Sequence, residues 1–195
     1  MGKFKGGYFN SKNPKIIDYA NSKNRSDLLD IYITSHCTFF LTHMSGLDNL
    51  LPIFNIPAIV IPLNLAVARQ FNNNLISTRI FIDQNGEQVS LRKLFKKNLI
   101  FRQKKEDFDL EKIKPKDLSP EQINDLVIEM DEHIIQGKPY TNEENMLNDR
   151  FWDLYTQHYN EDKNAEQQIK LSGKLKVISR FDINCLKRNH SWFLN

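Results

Sequence analysis

Two apolar runs of strand length constrain the fold more than any other feature of the sequence. They are CTFFLT at residues 37–42 and IPAIVIP at residues 56–62. Neither run alternates apolar with polar residues, as a strand with one solvated face would. Strands that are apolar on both faces are typical of a parallel sheet covered by helices on each side. We therefore expect an α/β fold.

The segments around these runs predict an element order of β-α-β-α-β. Residues 15–20, KIIDYA, have the short, β-branched character of a first strand. Two helical stripes separate the three strands. They are Leu28, Ile31, Tyr32 and Ser35, with Ser26 or Asn24 as the cap, and then Leu47, Leu50, Leu51 and Phe54.

The second half of the chain predicts further helices. Residues 78–95 indicate a strand, an Asn85-Gly86 turn and then a short strand or the start of a helix. A stronger helix begins at the Ser119 cap, where Gln122 completes a capping box, and ends at Gly137. Its expected buried stripe is Ile123, Leu126, Val127, Met130 and Ile134. Residues 142–159 predict a helix with an aromatic stripe, and the tail predicts a short strand and a small helix.

The joint between residues 42 and 47 is the strongest candidate for a site. It follows the carboxyl end of one predicted strand and precedes a helix, which is where open α/β sheets collect ligands. Unpaired amides at a helix start attract phosphate. The candidate contacts are of three kinds. Hydroxyl and ring donors are provided by side chains, and a glycine lets a phosphate oxygen come close to backbone amides. Two polar side chains in the first helical turn can cap the helix or reach a ligand. The candidate residues are His43, Ser45, Gly46, Leu47, Asp48 and Asn49. A plain helix start without a ligand explains the same pair of small residues.

Two charged residues flank the same edge of the predicted sheet. Asp18 falls in the middle of the predicted first strand, where an unpaired carboxylate would be costly, so it needs a partner. Arg25 is the candidate partner in a structural ion pair. Alternatively, Arg25 faces the phosphate of a ligand and Asp27 or Asp30 caps the helix.

Composition excludes several classes of protein. A net charge of +3 is too mild for a typical nucleic-acid binder. Residues 93–105 are locally basic with interleaved apolar residues, which favours a solvated basic element or contact with an anionic membrane surface. Two distant cysteines and five scattered histidines predict no disulfide framework and no metal site. A reducing, cytoplasmic setting fits this composition.

A series of short motifs resembles a bacterial glycosyltransferase family linked to surface polysaccharide synthesis. The series comprises an I-D-Y-A segment, R-S-D-x-x-D-x-Y, an aromatic strand, S-G-L before a helix, and F-x-x-P. These correspond to residues 17–20, 25–32, 39–40, 45–47 and 54–57. The SPEQI helix and the ISRFDINCLKRN tail are also similar to the family, so the resemblance runs from about residue 14 to the end.

The resemblance implies a Rossmann-like parallel sheet flanked by helices, as one half of a two-domain GT-B enzyme. Residues 14–136 would form the domain that binds the nucleotide sugar and residues 137–195 a helical extension. Residues 1–13 would be a flexible leader or the remnant of an inter-domain linker. A missing amino-terminal domain would bind the glycan or lipid-linked acceptor and supply the general base, so no catalytic residue is assigned.

The implied donor site uses the joint residues together with Arg25 and Asp18, and it needs no cofactor and no metal. Such an enzyme would act in the cytoplasm, with residues 93–105 as a peripheral contact to the inner membrane. The alternative is a truncated, non-catalytic Rossmann-like domain that serves as an interaction module.

Overall fold

A four-stranded parallel sheet forms the centre of the protein. The computed structural model describes residues 7–9, 11–43, 45–62, 65, 73–102, 104–161 and 179–190. The strands are β1 Phe40–Thr42, β2 Ala58–Val60, β3 Leu75–Ile76 and β6 Arg180–Phe181, in the order β1-β2-β3-β6. Leu41 pairs with Ile59, and Ile76 pairs with both Val60 and Phe181. A separate antiparallel pair joins β4 Ile80–Ile82 to β5 Lys114–Lys116.

Seven α-helices and several tighter turns surround the strands in the described part of the chain. The helices are α1 Asp27–His36, α2 Leu51–Phe54, α3 Leu91–Lys96, α4 Lys105–Leu110, α5 Pro120–Glu129, α6 Asn142–Glu161 and α7 Ile183–Arg188. The 3₁₀ turns are Tyr19–Asn21, Gly46–Leu50 and Leu99–Phe101, and a π-helical turn, Met130–Ile135, continues α5.

The sheet is buried on both faces, which confirms the predicted parallel sheet with helices on each side. Ile59 and Leu75 point to one face, where they pack with Leu126 and Met130 of the α5 region. Ala58, Val60 and Ile76 belong to the larger cluster on the other face, which holds the apolar side chains of α3, α6 and α7. Successive side chains of β2 therefore pack into two different hydrophobic clusters, one on each face of the sheet.

Several predicted elements are confirmed. Both apolar runs contain strands, Gly86 has the positive φ of the predicted turn, and Ser119 and Gln122 form the predicted capping box. The buried stripe of α5 is also confirmed, because Leu126 and Met130 are buried and its other three members are partly buried. Gly137 follows this helical segment with φ +73°.

The prediction of a first strand at residues 15–20 is wrong. Ile16 and Ile17 are exposed, and the next residues form the Tyr19–Asn21 turn. Asp18 starts this turn, because its carboxylate accepts hydrogen bonds from the backbone and side chain of Asn21. Among the described strands, β1 therefore pairs only with β2.

The predicted helix α1 is confirmed, but its apolar stripe does not face the core. The Ser26 cap is confirmed, but Leu28, Ile31 and Tyr32 are exposed. The helix instead packs its polar side against α2 and the Gly46–Leu50 turn. Asp30 and Thr34 are buried on that side, where the Thr34 hydroxyl donates to the Asp30 carbonyl.

The last third of the chain shares the main core. The aromatic stripe of α6 is buried around Phe151, Tyr155 and Tyr159, and Phe151 stacks on Phe181 of β6 with ring centroids 3.8 Å apart. The Tyr155 hydroxyl donates to the Leu65 carbonyl at 2.6 Å. The segment after residue 137 thus contributes a strand to the sheet and buried aromatic side chains to the main core.

The basic segment at residues 93–105 divides between core and solvent. Its interleaved apolar side chains, among them Phe95 and Phe101, are buried, whereas Lys93, Lys96 and Lys97 are exposed. Gln103 lies outside the described residues, as do residues 1–6 and 10 of the predicted leader. Membrane contact through this segment stays a prediction that rests on its cations, because its apolar residues are already packed.

Candidate ligand site at the carboxyl edge of the sheet

The four parallel strands end along one edge, and the residues that follow them define the candidate site. Their last residues are Thr42, Val60, Ile76 and Phe181. The next side chains along the chain include His43 after β1, Ser77 and Arg79 after β3, and Asp182 after β6. Ligands of open α/β sheets bind outside this edge.

The joint at residues 45–48 is filled by a carboxylate of the protein itself. Asp48 is only 3% exposed. It accepts a hydrogen bond from the Ser45 amide at 2.5 Å, one from the Ser45 hydroxyl at 3.2 Å and one from the Thr42 hydroxyl at 2.7 Å. Of the donors that were expected to meet a diphosphate, the Ser45 amide and hydroxyl therefore meet Asp48 instead. A buried negative charge at this point also opposes a second anion.

The rest of the joint differs from the expected open helix start. Residues Gly46–Leu50 form a 3₁₀ turn rather than the first turn of a long helix. Gly46 is exposed, and a Cβ built on it would meet no atom within 4 Å. The Asn49 side chain donates to the Gly46 carbonyl at 3.2 Å, and Leu47 is half-buried. This turn is thus closed by its own side chains.

Asp18 and Arg25 have partners other than those expected. Asp18 accepts from the Asn21 side chain at 2.7 Å and from the Phe9 amide at 3.0 Å, and these two hydrogen bonds, the Asn21 one first, lower its pKa. Arg25 pairs with Asp30 at 3.0 Å, so the predicted Asp18–Arg25 pair is wrong. Neither residue is among those that line the cavity beside His43.

His43 is the predicted site residue that borders a cavity at this edge. The cavity has a volume of about 270 Å³ and is lined by His43, Ile61, Arg79, Asp117, Leu118 and Ile123. The Nδ1 atom of His43 lies 3.1 Å from the Ile61 carbonyl oxygen. Because a carbonyl only accepts, Nδ1 carries a proton in this contact, which fixes the orientation of the ring.

Arg79 is the cation of this cavity, and its guanidinium is under-satisfied. Its Nη2 lies 3.7 Å from Asp117 Oδ1, which is beyond hydrogen-bonding distance, and the Asp117 side chain is 85% exposed. The buried Nε of Arg79 has no hydrogen-bond partner among the described residues. A buried donor without a partner costs free energy, so an anion or water that meets this guanidinium is favoured.

Sequence reasoning missed Arg79 because its neighbours come from distant segments. His43, Arg79 and Asp117 follow three different strands, and no spacing in the sequence connects them. The one available signal was position, since Arg79 comes directly after an apolar pair that forms β3 and two small polar residues.

A second polar cluster at the same edge is satisfied internally. Asp182 accepts from the Ser77 hydroxyl at 2.7 Å and from the Cys185 amide at 2.9 Å, so it caps α7. Glu129 of α5 accepts from the Ile183 amide at 3.2 Å and from the Tyr140 hydroxyl at 3.1 Å. Burial, and then the nearby Asp182 charge, raises the pKa of Glu129 to about 8. This cluster ties α5 and α7 to the sheet.

The described residues show no metal-binding group and no membrane-spanning helix. Within the described ranges, no group of three or more His, Cys, Asp or Glu side chains is placed to hold a metal ion. None of the helices in the described part of the chain is long and apolar enough to cross a membrane. No protein-family model, no curated protein and no solved structure matches the chain.

Proposed function

We propose that the chain binds the diphosphate of a nucleoside diphosphate sugar, as the donor-binding half of a glycosyltransferase. The observation that carries this proposal is the under-satisfied Arg79 guanidinium beside His43, in a cavity at the carboxyl edge of a parallel sheet. The motif resemblance to a polysaccharide glycosyltransferase family supports the same class of ligand. The proposed contact point is this cavity, because Asp48 fills the 3₁₀ turn.

Arg79 supplies the electrostatic part of the proposed function. A guanidinium donates two parallel hydrogen bonds to phosphate oxygens and keeps its charge at all physiological pH values. Its only carboxylate neighbour within 4 Å among the described residues, Asp117, is exposed and readily displaced by solvent. Phosphate bound at Arg79 would thus gain a charge-assisted contact without breaking a buried pair.

His43 would act beside Arg79 as a positioning residue. Its Nδ1–H contact with the Ile61 carbonyl leaves Nε2 as the ring atom available to a ligand. In the imidazolium form, Nε2–H donates to a phosphate oxygen. Together the two residues would stabilise the negative charge that develops on the leaving diphosphate during sugar transfer. Such electrostatic stabilisation often makes a large contribution to lowering the activation free energy.

Calorimetry with the folded chain tests the proposal. The ligands are pyrophosphate and a panel of nucleoside diphosphates, and the variants are Arg79→Gln, His43→Gln and the control Arg92→Gln. Arg92 is an exposed cation of α3 outside the cavity. We expect the wild type and Arg92→Gln to bind alike, and Arg79→Gln to bind about tenfold or more weakly, as for loss of a charge-assisted contact.

Two results would refute the proposal. One is the absence of heat with every phosphate ligand from a wild-type sample that circular dichroism shows to be folded. The other is an Arg79→Gln variant that binds as tightly as the wild type, which would place the phosphate elsewhere.

An interaction module is the second candidate, favoured by the exposed apolar face of α1. Leu28, Ile31 and Tyr32 are 79%, 42% and 56% exposed and lie at i, i+3 and i+4 of the helix. Contiguous exposed apolar side chains are typical of interaction surfaces. Sedimentation velocity over a range of protein concentrations tests this candidate. Self-association of the wild type that is lost in the double variant Leu28→Ser, Tyr32→Ser favours it. A monomer at all concentrations counts against self-association by this face.

A further inference from the structure

A second cavity is also lined by Arg79 and lies between the β4–β5 pair and α4. Its volume is about 390 Å³, within the range of pockets that hold small ligands. The lining residues are Arg79, Phe81, Lys105, Phe108, Asp109, Ile113, Lys114 and Pro115. Arg79 lines both this cavity and the one beside His43, so the two are neighbours across a single side chain.

The walls of this second cavity are apolar and fixed. Phe81 and Phe108 stack with ring centroids 5.4 Å apart and planes 13° apart, and both belong to the main core. Ile113 is buried in the same cluster, and Pro115 pairs with Phe81 across the two strands. Rigid apolar walls of this kind favour a flat, apolar group.

The residues that line the cavity include three cations and one carboxylate. The cations are Arg79, Lys105 and Lys114, and neither lysine pairs with a carboxylate among the described residues. The exposed Asp109 carboxylate also borders the cavity, without a hydrogen-bond partner in the described part of the chain. The chemistry that fits is a flat apolar group that carries N–H donors on its edge and is attached to an anion.

We propose that this cavity takes the nucleobase of the nucleotide whose phosphates Arg79 holds, an inference that rests on the proposed function. The base lies against the Phe81, Phe108 and Pro115 walls, and its N–H edge donates to Asp109. The phosphates pass Arg79 toward His43. An alkyl chain would fill the same walls but would leave the Asp109 carboxylate without a donor, so the acceptor favours a base.

The test compares ligands with and without a base on the wild type and on a variant with a filled cavity. Pro115→Trp places a large side chain in the cavity from an exposed strand position, and Pro139→Trp is the matched control at an exposed proline outside it. The ligands are pyrophosphate, nucleoside diphosphates and an alkyl diphosphate, and calorimetry gives each Kd.

We expect nucleoside diphosphates to bind the wild type and Pro139→Trp about tenfold or more tightly than pyrophosphate, as base stacking on aromatic side chains predicts. Pro115→Trp should lose this advantage and keep the Kd for pyrophosphate. Should Pro115→Trp fail to fold, nuclear Overhauser contacts between base protons and the Phe81 and Phe108 rings of the wild type decide instead.

Each contrary outcome has a separate meaning. If pyrophosphate binds and the base adds nothing, or the advantage survives in Pro115→Trp, the cavity does not hold the base and the proposed function stands. If the alkyl diphosphate matches the nucleotides, the occupant is an alkyl chain and the inference is overturned. If no phosphate ligand binds, the proposed function fails and the inference fails with it.

Discussion

Replacement of Glu129 by glutamine should change how the stability of the protein depends on pH. Glu129 is 4% exposed, and its carboxyl group lies close enough to Asp182 to feel the charge of that carboxylate. It accepts from the Ile183 amide and the Tyr140 hydroxyl, so it joins α5 to α7. Glutamine has the same shape and keeps one acceptor oxygen, but it cannot ionise.

The size of the effect follows from the pKa of Glu129. Burial first, and then the charge of Asp182, raises this pKa from 4.5 to about 8. Between these two pH values the folded state holds a proton that the unfolded state has released, so the free energy of unfolding falls as pH rises. The slope approaches about 1.4 kcal/mol per pH unit, and the loss between pH 5 and pH 8 is about 3 kcal/mol.

Urea unfolding at several pH values from 5 to 8 measures this loss. We expect the free-energy difference between wild type and Glu129→Gln to widen by about 3 kcal/mol in favour of the variant as pH rises. Glu132→Gln is the control, because Glu132 lies close by but forms an exposed pair with Lys138. If wild type and Glu129→Gln give parallel curves, Glu129 is already ionised or solvated in the folded state and the reasoning is wrong.

Three further predictions concern the packing and caps. By thermal or urea unfolding, Leu28→Ala should change stability by less than about 0.5 kcal/mol, whereas Leu126→Ala should cost about 2 to 5 kcal/mol, because only the latter is buried. Equal losses would contradict the exposed face of α1. Ser119→Ala should cost about 1 kcal/mol, since the Ser119 hydroxyl accepts from the Gln122 amide, and an unchanged urea midpoint would argue against the cap. Asp48→Ala removes the acceptor of the Ser45 amide and hydroxyl, which should cost about 2 kcal/mol or more. Amide hydrogen exchange in this variant should rise first around residues 45–50, and unchanged exchange there would disprove that role.

The centre of the fold could be predicted because the sequence patterns that determine it lie within short segments of the chain. The runs at residues 37–42 and 56–62 become β1 and β2, and the capping box at Ser119 begins α5. The expectation of a parallel sheet flanked by helices, which rested on these apolar runs, is also confirmed. A strand that is apolar on both faces has few other stable environments.

The errors near the amino terminus arise because burial depends on tertiary partners. The α1 sequence has helical spacing of apolar residues, yet the side that packs is the one with Asp30 and Thr34. Arg25 makes that burial feasible by pairing with Asp30 at 3.0 Å. The apolar residues at 15–20 belong to none of the described strands, and Asp18 within them starts the Tyr19–Asn21 turn.

Only part of the candidate site could be predicted from the sequence. His43 could be proposed because it follows β1, where a ligand was expected, and the structure places it beside a cavity. The closure of the joint by Asp48 was not visible, since an acidic residue in the first turn can cap the helix or reach a ligand. Arg79 follows β3 and His43 follows β1, so only the folded sheet edge brings the two side chains to one cavity.

The central claim, that phosphate meets the Arg79 guanidinium, can be tested directly by nuclear magnetic resonance. The arginine Nε–H signals are recorded while pyrophosphate is added, and Arg79→Gln identifies the Arg79 signal by its loss. The buried, unpartnered Nε–H of Arg79 should shift with saturation, while the Nε–H signal of Arg25, which lies outside the cavity, should not. An Arg79 signal that stays unmoved while pyrophosphate binds would contradict the account.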